Sequence, residues 1–153
     1  MKSFVTGGAG FIGSHLVDKL IENGHTVTVF DDLSSGKTEF INHHLENDNF
    51  MFIEADLADA ETVSKEIKGH DVVFHIAANP DVRLGAQKPD IAKKDILATY
   101  NLLDAMRKND NKKIVFSSSS VIYGETPPFP LPENYGPLLP ISVYGAAKLA
   151  AEG

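Results

Sequence analysis

Apolar residues run along this chain in short blocks whose period alternates between that of a strand and that of a helix. A strand centred on Phe4 and Val5 comes first. Phe11, Ile12, Leu16, Val17, Leu20 and Ile21 then recur at helical spacing, which predicts a helix with those residues on one side. Further strands are expected at 26–30, 49–54, 71–75 and 112–117. A short helix about 38–45, a helix over 59–68 and a long helix over 89–108 separate them. Val63 and Ile67 stand one turn apart in the second of these. Ile96, Tyr100, Leu103 and Met106 are expected to mark the buried face of the third. The alternation of strand and helix predicts a parallel sheet covered on both faces.

The first strand ends in Thr6-Gly-Gly-Ala-Gly-Phe-Ile-Gly13, with glycines at 7, 10 and 13. Gly7 suits a sharp turn, Gly10 a close approach of backbone to a pyrophosphate, and Gly13 a helix packed close to a sheet. The free N–H groups of the first helical turn, from Phe11 and Ile12 on, would face the phosphates. The second strand ends in Asp31, 24 residues after Gly7, where a carboxylate accepts ribose hydroxyl hydrogens. Such an acid repels the 2'-phosphate of NADP, so the cofactor expected is NAD. Asp32, Ser35 and Gly36 lie in the polar loop that follows.

Asp56 either receives an adenine amino group or caps the next helix. His75 reads as a satisfied core histidine. Ala77 and Ala78 continue from its strand with small side chains that would let a cofactor lie close. Arg83, in a loop over 79–85, either meets a phosphate or carboxylate or forms a surface ion pair. His43 and His44 are adjacent, and helical metal ligands prefer a spacing of three or four, so they read as surface histidines.

Four serines, 117–120, close the fifth strand, and six prolines between 125 and 140 exclude helix or central strand there. Phe129, Leu131, Tyr135, Leu138 and Leu139 punctuate that stretch and predict an ordered excursion. Ser142 is placed to cap a last helix, on which Tyr144 and Lys148 share a face one turn apart. A phenol is a poor base at neutral pH, and a nearby ammonium, with the positive nicotinamide ring of NAD+, would stabilise the phenolate. With a serine holding the substrate oxygen, the set suits removing a proton from an alcohol while hydride leaves its carbon.

The rest of the composition narrows the classes. There is no cysteine, which excludes disulfides and thiolate chemistry. The net charge is -7 with no basic block, which argues against a nucleic-acid or anionic-membrane partner. No apolar run is long enough to span a bilayer, and the N-terminus enters a strand directly, so a cytoplasmic location is the default.

These motifs resemble the extended short-chain dehydrogenase/reductase family, in its nucleotide-sugar epimerase branch. The resemblance runs over the whole chain, through residues 6–13, 31–36, Asp56-Leu57, 75–78, 117–124 and 144–148. It implies a Rossmann-like, doubly wound α/β domain over 1–153, incomplete before the last strands and lacking a C-terminal substrate domain. It implies that Gly7 to Gly13 bind pyrophosphate, Asp31 the ribose, and Asp56 with Leu57 the adenine side. Ser119, Tyr144 and Lys148 would be the catalytic serine, base and orienting cation. The implied reaction is C4 epimerisation of a nucleotide sugar, of the UDP-glucose to UDP-galactose type, by transient hydride transfer in a homodimeric parent. The segment itself is expected to bind NAD without turnover. Family members that dehydrate such sugars carry an Asp-Glu pair after the serine, where this chain has Ser120 and Val121. Two alternatives are a net nucleotide-sugar dehydrogenase or reductase and a non-enzymatic dinucleotide-binding module. One departure stands out: the family usually has asparagine where this chain has Asp95.

Overall fold

The computed structural model describes residues 1–79, 87–88, 90–125 and 128–153. The expectations for Arg83 and Pro89 lie outside them. The elements in order are β1 (Lys2–Thr6), α1 (Phe11–Glu22), β2 (Thr26–Asp31), β3 (Phe50–Glu54), α2 (Ala60–Glu66), β4 (Val72–His75), α3 (Asp90–Lys108), β5 (Ile114–Phe116) and α4 (Val143–Glu152). The residues fall into two compact units, Met1–Ala78 with Tyr100–Ser117, and Asn79–Thr99 with Ser118–Gly153.

The first unit holds a five-stranded sheet, order β3-β2-β1-β4-β5, in which every pairing is parallel. The chain lays β2 and β3 on one side of β1, then returns to lay β4 and β5 on the other. The reversal falls between β1 and β4, and doubly wound sheets bind their ligands outside the carboxyl ends of the strands at such a point. Strands buried on both faces need apolar side chains at successive positions. Phe4 and Val5 in β1, and Val29 and Phe30 in β2, are accordingly all within 1% of full burial. The register sets Val5 beside Val29 and Phe74, and Val29 beside Phe52. That row packs with Val17, Leu20 and Ile41 into one cluster.

The α1 register departs from expectation. Gly13, Ser14, Val17 and Leu20 are buried, whereas Phe11 and Ile12 are 73% and 63% exposed. The apolar run is therefore longer than the packed face, and its first two residues stand free at the helix start. The correction at α3 is larger. Ile96, Tyr100 and Leu103 are exposed, and of the expected set only Met106 is buried. Apart from Leu102 and Met106, the buried residues are small or polar: Ala92, Thr99, Asn101 and Ala105. Side-chain amides explain the C-terminal half. Asn101 Nδ2 donates to Leu57 O (2.9 Å) and Ala58 O (3.2 Å), and Asn109 Nδ2 donates to Ser64 O (2.9 Å).

Residues 38–45 form two 3-10 turns, Thr38–Phe40 and Asn42–His44, rather than one helix. Ile41 between them is fully buried and pins both. Asp59, not Asp56, caps α2, accepting from Thr62 N (3.1 Å). His75 is buried with Nδ1 2.7 Å from Thr6 Oγ1, as a satisfied core histidine should be.

In the second unit Ser142 caps α4, as expected, accepting from Gly145 N (2.9 Å). The proline-bearing stretch turns back on itself. Tyr123 and Tyr135 meet edge to face at 6.0 Å. Gly124 has φ +90, and a Cβ there would stand 2.9 Å from Leu139 O. No helix among the described residues is long and apolar enough to cross a membrane.

Candidate functional site

The glycine turn is closed on itself. Gly7 has φ +71, and a Cβ on it would meet the Ala77 backbone N at 2.6 Å. Ala77 N in turn donates to Thr6 O (3.1 Å) and to Thr6 Oγ1 (3.3 Å). The small pair Ala77-Ala78 is thus tied to the end of β1, and both residues are half-buried. Gly13 faces the Gly7 carbonyl so closely that any Cβ would overlap its oxygen. The role expected for Gly13 was close packing of helix on sheet; its nearest neighbour is the turn itself. Gly10 differs from both. A Cβ there would meet only Gly7 O, at 3.3 Å, and otherwise open space. Gly10 also stands at the N-cap of α1, where no side chain caps the helix. An uncapped helix start beside an open glycine leaves its N–H groups and the positive end of the helix dipole available to an anion.

Asp31 sits at the edge of this opening. Oδ2 accepts from Ala9 N (3.0 Å) and Oδ1 from Leu33 N (2.9 Å). Burial pushes its carboxyl up; the two N–H bonds pull the other way, and neighbouring Asp32 adds to the rise. The 31–37 loop folds back so that Lys37 N donates to Ala9 O (2.9 Å). Gly36 permits this, since a Cβ would stand 2.9 Å from Asp31 Oδ1. Asp32 accepts from Ser34 N and Oγ (2.9 and 2.6 Å), and it and Ser35 are exposed. Asp56 is exposed too, its Oδ1 accepting from Ala58 N (2.8 Å). Leu57 beside it is buried, its carbonyl held by Asn101. Sequence reading passed over Asn101; an amide on the buried side of a helix was the available signal.

The second unit gathers Ser119, Tyr144, Lys148 and Asp95. Ser119 caps the 3-10 turn Ser120–Tyr123. Burial raises the Tyr144 phenol above its ordinary value; a hydrogen bond with Ser119 opposes this, and the Asp95 charge adds to it. Burial and the Asp95 charge both favour the protonated phenol. The Lys148 ammonium stands 5.9 Å from the centre of the Tyr144 ring, and the residue is 4% exposed. Burial lowers its pKa while Asp95 holds it up. Asp95 also accepts from Asn79 N (3.1 Å), so it supports the backbone before the 80–86 segment. Its other oxygen is buried and has no hydrogen-bond partner among the described residues. Burial pushes the Asp95 carboxyl up, against the Asn79 bond and Lys148.

A model of the "NAD dependent epimerase/dehydratase family" matches residues 3–153. The chain belongs to that family. A putative UDP-glucose 4-epimerase of Methanocaldococcus jannaschii is 44% identical over 97% of this chain and 48% of its own length. Among solved structures, the UDP-N-acetylglucosamine 4-epimerase of Methanobrevibacter ruminantium is 43% identical, with TM-score 0.91 over 99% of this chain and 48% of that one. The Thermus thermophilus UDP-glucose 4-epimerase, solved in complex with NAD, is 37% identical with TM-score 0.88, over 99% and 49%. The chain spans about half the length of these relatives.

Within this epimerase/dehydratase chain, Asp95 gives a measurable handle. Asp95→Asn removes a negative charge that raises the Tyr144 phenol. The phenolate should then form at lower pH, read by ultraviolet titration against a Tyr144→Phe control. An unchanged titration would mean that Asp95 and the phenol do not sense each other.

Proposed function

We propose that this chain is the dinucleotide-binding and proton-transfer half of an NAD-dependent nucleotide-sugar C4 epimerase, of the UDP-glucose to UDP-galactose type. The observation that carries it is Ser119, Tyr144 and Lys148 in one unit of a chain whose other unit ends β1 in an open glycine turn beside Asp31. Gly7, Gly10, Phe11, Ile12 and Gly13 would hold the pyrophosphate, with the uncapped α1 amides as donors. Asp31, with Asp32, Ser35 and Gly36 around it, would take the ribose. Asp56 and Leu57 would border the adenine, and Ala77 and Ala78 would lie along the cofactor. Tyr144 would take the proton of the sugar C4 hydroxyl, Ser119 would hold that oxygen, and Lys148 would set the local charge. Bound NAD supplies a reversible acceptor for the C4 hydride. With Ser120 and Val121 in place of an acid pair, no carboxylate follows Ser119 to drive loss of water. This favours a simple relay in which hydride returns to the other face of the keto sugar.

The whole protein would be a cytoplasmic homodimer. The exposed apolar stripe Ile96, Leu97, Tyr100 and Leu103 on α3 supports the dimer, and light scattering tests it. Conversion of UDP-glucose by the whole protein with only catalytic NAD is the deciding assay. Stoichiometric NADH would indicate a net dehydrogenase instead, and a 4-keto-6-deoxy product would overturn the reading of Ser120 and Val121.

Cofactor choice is tested on this chain directly. Calorimetric titration should find NAD bound at least about tenfold more tightly than NADP, because a 2'-phosphate would be brought against the Asp31 carboxylate. Equal or tighter NADP binding would sink the role of Asp31.

A further inference from the structure

We propose that Asp18, His43 and His44 form a binding site for a divalent transition-metal cation of the zinc class, apart from the dinucleotide site. The sequence spacing of the two histidines argued against chelation because only one element was considered. The fold adds a third ligand from another element. Asp18 projects from α1, and His43 and His44 close the 3-10 turn Asn42–His44. The two Nε2 atoms lie 3.0 and 2.7 Å from the same oxygen, Asp18 Oδ1. All three ligand atoms lie within 4.8 Å of one another.

Packing holds the set together. Ile41, immediately before the turn, is fully buried in the cluster that contains Val17 and Leu20 of α1. The His44 ring lies 5.5 Å from Phe50 and 4.0 Å from the His43 ring. The site is open to solvent on one side: side-chain exposure is 53% at His43 and 37% at Asp18, against 13% at His44. An ion can therefore enter, and a water can complete its coordination.

The ligand chemistry selects the ion. Two imidazoles and one carboxylate suit zinc, cobalt, nickel or copper, whereas magnesium and calcium take oxygen ligands. Tetrahedral zinc with bonds of about 2.0–2.1 Å separates its ligands by roughly 3.3 Å. The present N···O separations need open only by a few tenths of an ångström. Each Nε2 must then offer its lone pair to the metal, so each ring carries its proton on Nδ1. The bound ion would join α1 to the turn that follows the Asp31 loop and would stabilise the folded state by linkage.

The test is calorimetry of the chelator-stripped 153-residue chain with zinc chloride, then with cobalt, calcium and magnesium chlorides. The expected result is one zinc or cobalt per chain with micromolar affinity, a raised melting temperature, and no calcium or magnesium uptake. His43→Gln, His44→Gln and Asp18→Asn should each weaken zinc by at least about tenfold, as much as losing an outer-sphere partner costs. His43 is the most exposed of the three, so its variant tests the ligand without disturbing packing, and circular dichroism confirms the fold. No zinc uptake at millimolar concentration would overturn the proposal, leaving two histidine–carboxylate hydrogen bonds. Undiminished uptake by the His43→Gln/His44→Gln double variant would overturn it equally, by placing the ion elsewhere.

Discussion

Gly13→Ala should lower the melting temperature by about 10 °C and abolish NAD binding, while Gly10→Ala should fold normally and still bind NAD poorly. The two glycines are three residues apart in one motif, yet the space around them differs. A Cβ on Gly13 would overlap the carbonyl oxygen of Gly7, a backbone atom that cannot swing aside. Relief requires the first turn of α1 to lift off the end of β1. Overpacking of that kind costs about 3 kcal/mol at the upper end of its range, which for a chain of this size is roughly 6–12 °C. A Cβ on Gly10 would meet only Gly7 O, at 3.3 Å, so a shift of a few tenths of an ångström accommodates it. Its methyl would instead occupy the space above the uncapped helix start, where the proposed pyrophosphate would approach the backbone. A loss of NAD affinity of about tenfold or more, near 1.4 kcal/mol, is the expected size. Thermal melting and calorimetry on the same two variants separate the cases. A Gly13→Ala chain that melts like the parent would mean that the turn is not closed as described. Normal NAD binding by Gly10→Ala would move the phosphate site.

Tyr144→Phe should reduce epimerisation by the whole protein about a thousandfold, within the range that a positioned general base contributes, and leave NAD affinity within about threefold. Burial raises the phenol, Ser119 opposes it, and Asp95 raises it further. The folded state therefore binds this proton more tightly than the unfolded state does. The sign of the linkage follows: Tyr144 costs stability only as pH rises through the ordinary phenol value near 10 towards its raised value. Tyr144→Phe should accordingly melt like the parent at neutral pH and slightly higher than the parent in strong alkali. A positive nicotinamide ring near the phenol would lower its pKa, and a charged Lys148, its ammonium 5.9 Å from the centre of the Tyr144 ring, would act in the same direction. Turnover within about tenfold of the parent would remove Tyr144 from the chemistry. Loss of NAD binding to the same degree as turnover would reassign it to holding cofactor.

The order of strands and helices, the glycine turn and the capped helix carrying Tyr144 and Lys148 were all legible in the sequence. Each is set by local rules: period 2 or 3.6 in the apolar pattern, backbone freedom at glycine, a serine hydroxyl at a helix start. The sequence also placed Asp31 after β2, although not the two backbone N–H groups that hold its carboxylate. What the sequence misplaced depended on which partner a side chain meets. Ile96, Tyr100 and Leu103 looked like the core face of α3. The fold buries Thr99, Asn101 and Leu102 instead, because Asn101 satisfies the carbonyls after β3, Leu57 and Ala58, which no periodicity can register. Asp56 was the cap the sequence suggested for α2, and the observed backbone path gives that place to Asp59. Burial and the charge of Asp95, 49 residues earlier in the chain, raise the Tyr144 phenol, and the local spacing of Tyr144 and Lys148 registers neither. Asp18 and the His43-His44 pair carry no shared motif, and they meet because Ile41 is drawn into the core. Local conformational preference is written residue by residue and can be read that way. Burial, charge and hydrogen bonding between distant residues exist only once the chain has closed on itself.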